Sequence, residues 1–87
     1  MELPYRSDYD PIITFKPNLE YTIRLYRMVG DDRRYWRFEL DYCGEFQQQG
    51  WISMPHDCGE GKIKVAAKKV ALMSWEDQKA YYEKVGL

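Results

Sequence analysis

The sequence predicts an α+β domain, a three- to four-stranded antiparallel β-meander followed by two C-terminal helices packed on one of its faces. Three observations predict it. From Tyr21 to Tyr42 apolar side chains recur on every second position, with Ile23 and Leu25, then Trp36, Phe38 and Leu40. From Lys62 to Met73 the spacing lengthens to Ile63, Ala66, Ala67, Val70 and Met73. Period two marks a sheet with one buried face, and period 3.6 marks an amphipathic helix to cover it. The third observation is length, because 87 residues make one domain over 1–87 and leave no room for two. Stability scaled to that length is about 4–13 kcal/mol.

Residues 1–11 read as an irregular lead-in, with Pro4 and Pro11 bracketing a stretch that has neither period. Ile12 to Phe15 is a short strand stopped by Pro17-Asn18. Tyr21 to Met28 is the first clear strand, rich in Tyr, Thr, Ile and Leu. Val29-Gly30-Asp31-Asp32 supplies turn residues, and Tyr35 to Cys43 returns as an antiparallel partner. Gly44-Glu45 turns the chain again into Phe46 to Met54. The run Gln47-Gln48-Gln49-Gly50 weakens the first half of that strand and suggests an edge or a bulge.

The first helix runs from Glu60 or Lys62 to Met73. Val65 and Leu72 lie off its buried stripe and are either flank packing or an exposed contact. Ser74 reads as the N-cap of a second helix, with Asp77 three residues on as a capping-box variant. Trp75, Gln78, Tyr81, Tyr82 and Val85 form its expected stripe, and Gly86 ends it.

Composition narrows the function. Hydrophobic residues are 45% and charged residues 31%, which excludes a disordered chain, and no run approaches the length of a membrane span. The N-terminus lacks the features of a signal peptide, so the cytoplasm is the expected compartment and no membrane partner is expected. Thirteen basic and fourteen acidic side chains leave a net charge of −1, whereas a dedicated nucleic-acid binder normally carries a basic excess.

Cys43, His56, Asp57 and Cys58 are the residues from which a metal site or a thiol nucleophile would have to be built. They lack the paired knuckles of zinc ligation, and a catalytic dyad also needs an orienting group and an oxyanion hole. No enzyme activity, cofactor or metal is expected, and both thiols should be reduced.

Gly61-Lys62 followed by Ala66-Ala67-Lys68-Lys69 resembles the second helix of double-stranded RNA-binding domains over about fourteen residues. That family places a first helix before its sheet, where this chain carries Pro4, Pro11 and Pro17, so the family's function is not carried over.

Surface chemistry is the better lead. Arg24 and Tyr26 on one strand should lie beside Tyr35 and Arg37 on the next, on the face turned away from the helices. Tyr and Arg on a wet sheet face are interface residues. These four, with Lys64 and Lys68 on the helix, are the candidate partner-binding residues. The expected function is a non-enzymatic protein-binding module of adaptor or inhibitor type. Anti-defence inhibitors of phages and mobile elements share this size, an analogy of size alone. The alternative is RNA or single-stranded DNA binding, with bases stacked on the tyrosines. Cross-strand pairing of Arg24 or Arg37 with Glu39 would occupy the same face without any partner.

Overall fold

The computed structural model describes residues 12–28 and 35–86. The lead-in 1–11, the Val29–Asp32 turn and Leu87 lie outside the described residues. Four strands form one antiparallel sheet in sequence order: β1 Ile13–Phe15, β2 Tyr21–Arg27, β3 Tyr35–Tyr42 and β4 Glu45–Ser53. Two helices follow, α1 Glu60–Ala71 and α2 Trp75–Val85. The expected meander with two C-terminal helices is the fold observed.

Register explains the core. Ile23 faces Leu40 and Leu25 faces Phe38 across β2 and β3, while Trp36 faces Ile52 across β3 and β4. All six are buried, and Ile63, Ala67, Val70 and Ala71 of α1 close over them. The small alanines let the helix backbone approach the sheet, so the larger sheet residues fill the space between. The β3–β4 hairpin turns on Cys43 and Gly44, both at positive φ, one residue earlier than the expected Gly44-Glu45. Two consecutive left-handed residues make the turn whose twist suits a two-residue hairpin.

β4 is an edge strand with a bulge. Leu40 pairs with Gln48 but Asp41 pairs with Phe46, which leaves Gln47 as the extra residue. Gln48 then reaches the helix, donating from Nε2 to the Ala71 carbonyl at 3.0 Å. Buried Gln78 of α2 donates to the Val70 carbonyl at 2.8 Å. Gln48 thereby pairs the Ala71 carbonyl at the end of α1, and Gln78 adds a second donor to the Val70 carbonyl, which also accepts from the Met73 N–H at 3.3 Å.

α2 starts and stops as its sequence requires. The Ser74 hydroxyl accepts from the Asp77 N–H at 3.2 Å, and Gly86 takes the left-handed conformation at φ 84°. Its tyrosines close the free side of β4: Tyr81 Oη accepts from the Ser53 N–H at 2.8 Å and Tyr82 Oη from the Trp51 N–H at 3.4 Å. Gly50 makes room for this, since a Cβ there would collide with Tyr82 Oη and lie 2.5 Å from the Phe38 ring.

Candidate functional site

The face of β2 and β3 opposite α1 differs from expectation. Tyr26, Tyr35 and Arg37 are 4%, 5% and 4% exposed, not open to solvent, and Arg24 is half-buried. The reason is a self-contained polar network. Arg24 grips Asp41 through both guanidinium nitrogens, one at 2.9 Å from Oδ1, and lies 3.5 Å from Glu39. Arg37 donates to Glu39 at 3.2 Å and to the Gln49 side chain, and its guanidinium stands 5.6 Å from the centre of the Tyr26 ring. The Tyr35 hydroxyl donates to the Val85 carbonyl at 3.1 Å. Charged groups are buried only where partners replace water, and here β3 itself and the strands beside it supply those partners.

The electrostatics follow the same contacts. The Arg24 guanidinium, hydrogen-bonded to Asp41, holds that carboxyl below its usual range, and Asp41 in turn raises Arg24. Burial, followed by the hydrogen bond with Glu39, pushes the Tyr26 phenol up. These three shifts keep Asp41 charged and Tyr26 neutral at physiological pH, so neither offers a proton-transfer group there.

Lys64 and Lys68 lie on α1. Lys64 pairs with Glu60 one turn back at 3.1 Å and stands 5.8 Å over the Phe15 ring. Lys68 is exposed and makes no ion pair among the described residues. The structure thus separates the six candidates into a buried sheet network and a helix surface.

That helix surface carries residues the sequence reading only half identified. Val65, Leu72 and Trp75 are 70%, 40% and 71% exposed. Seven residues separate Val65 from Leu72, so they differ by only about 20° around the helix axis. Trp75 was expected on the inner stripe of α2, but that helix is docked by Gln78, Tyr81 and Tyr82 and leaves its first residue outside. By helical spacing the exposed lysines Lys62, Lys68 and Lys69 flank Val65 and Leu72, and none is ion-paired among the described residues.

A concave feature lies between α1, α2 and the end of β4. This cleft has a volume of about 310 Å³ and an apolar lining that includes Met54, Val70, Met73 and Val85. Lys69, Lys84 and Tyr81 also line it.

Cys43 is exposed and Cys58 half-buried, and neither is in a disulfide. The His56 ring shares a hydrogen bond of 2.7 Å with the Tyr35 carbonyl and packs edge-on against Trp36 at 5.5 Å between centroids. Among the described residues no group of three His, Cys, Asp or Glu converges as metal ligands, and no helix is long and apolar enough to cross a membrane.

No match was found among protein-family models, curated proteins or solved structures. β1 and β2 precede α1 without a helix among the described residues, so the likeness to double-stranded RNA-binding domains stays confined to the Ala/Lys composition of α1.

Proposed function

We propose that this protein is a non-enzymatic binding module that recognises another protein through Val65, Leu72 and Trp75. The observation that carries the reading is Trp75, 71% exposed and three positions along the chain from Leu72, which is also exposed. A lone exposed apolar residue is ordinary, whereas several of them close in sequence among exposed lysines have the composition of a docking surface. Tryptophan is also the residue most enriched among those that dominate binding energy.

The lysines define the partner. An apolar surface ringed by Lys62, Lys68 and Lys69 complements an apolar patch with an acidic rim, and the rim charges accelerate encounter more than they tighten the complex. An adaptor or an inhibitor that masks such a patch fits this description equally. The sheet-face version of nucleic-acid binding has lost its stacking platform, because Tyr26 and Tyr35 are buried.

Co-purification from cells producing the tagged chain tests the reading. A stoichiometric protein should be recovered with wild type, survive nuclease treatment, and be lost with Trp75→Ala while the variant keeps its fold. Recovery of nucleic acid that is released between 50 and 200 mM salt would replace this reading with the alternative one.

A further inference from the structure

We propose that the cleft between α1, α2 and the end of β4 binds a small amphipathic anion, an alkyl chain ending in a carboxylate. Its volume of about 310 Å³ sits at the small end of the range for ligand sites. Met54, Val70, Met73 and Val85 offer the alkyl chain an apolar bed. The two methionines suit a flexible chain because their thioethers adapt to irregular shapes.

The charge is placed for the other end. Lys69 from α1 and Lys84 from α2 both line the cleft, and neither is ion-paired among the described residues. Both therefore keep their charge available to an anion that enters the cleft. Tyr81 adds a neutral donor: its oxygen accepts from the Ser53 N–H at 2.8 Å, and no described residue accepts its proton. Burial raises the Tyr81 phenol, so it retains that proton at neutral pH. An apolar bed, two cations and one hydroxyl donor select a carboxylate over an alcohol and exclude an amine. This site shares Lys69 with the charged rim of the Trp75 surface, but its apolar bed is distinct and it does not depend on the protein-binding reading.

Titration of the full chain with hexanoate, octanoate and 1-octanol, followed by the methyl resonances of Met54, Met73, Val70 and Val85, tests the proposal. Saturable shifts at these methyls are expected, tightening by up to about fourfold for each added methylene. Octanoate should bind roughly tenfold more tightly than 1-octanol, and Lys69→Gln combined with Lys84→Gln should reduce that preference to about twofold. The absence of saturable shifts at the cleft methyls would overturn the proposal, as would equal binding of the acid and the alcohol by wild type. Shifts confined to the Trp75 indole and the Val65 methyls would overturn it too, by placing the anion on the helix row.

Discussion

Tyr81 reaches from α2 to the free side of β4, where its hydroxyl accepts the Ser53 N–H at 2.8 Å. Tyr82 does the same for Trp51 from the next position in sequence. An unpaired strand edge is a template for adding another chain, and covering it with side-chain oxygens removes that liability. The arrangement also holds α2 so that Trp75, six residues earlier than Tyr81, projects into solvent.

Removing those oxygens should therefore cost stability and solubility together. Tyr81→Phe is expected to lower stability by about 0.5–1.5 kcal/mol, the usual net value of a hydrogen bond. The double Tyr81→Phe, Tyr82→Phe protein should in addition associate at high concentration. Denaturant melts and light scattering check both, and a double variant as stable and monomeric as wild type would show that the edge needs no cap.

Gly50 should not tolerate a side chain. Its Cβ position is taken by Tyr82 and Phe38, so Gly50→Ala should destabilise by at least about 1–3 kcal/mol. Thermal melting measures this. An alanine protein with unchanged Tm would mean that α2 sits farther from β4 than described.

Phe38 is fully buried at the centre of the sheet. Phe38→Ala should cost about 3–5 kcal/mol, a large part of what so small a domain has to lose. A melt within a few degrees of wild type would contradict the β2–β3 register.

Acid should expose the Arg24–Asp41 pair. The Asp41 carboxyl lies below its ordinary value when folded, so its contribution is present above the unfolded value of about 3.9 and is lost as pH falls through the folded one. Tm measured from pH 5 to 2 should fall less steeply in Asp41→Asn than in wild type. Parallel curves would remove the pair from the account.

Much of this was legible in the chain, and the misses share a cause. Alternation at Ile23, Leu25, Trp36, Phe38 and Leu40 names the inward face because period two admits no other assignment. The same rule puts Tyr26 and Arg37 on the opposite face, yet says nothing of whether that face is wet. Its burial depends on the β4 register that brings Gln49 beside Arg37 and its same-strand partner Glu39, and the Gln47 bulge that sets that register has only a weak signature, the glutamine run. Trp75 illustrates the converse. Ser74 and Gly86 fix where α2 begins and ends, but its rotation follows from hydrogen bonds of Gln78, Tyr81 and Tyr82, which no hydrophobic stripe encodes.

The central claim is that Trp75 and its neighbours carry partner recognition, and affinity measured on two exposed sites tests it most directly. Leu19, in the turn between β1 and β2, is 94% exposed and serves as the control. With the purified partner, Trp75→Ala should weaken Kd by about thirtyfold or more, the effect of losing a dominant interface side chain, while Leu19→Ala stays within about threefold. A Trp75→Ala protein that is folded and binds as tightly as wild type would contradict the account.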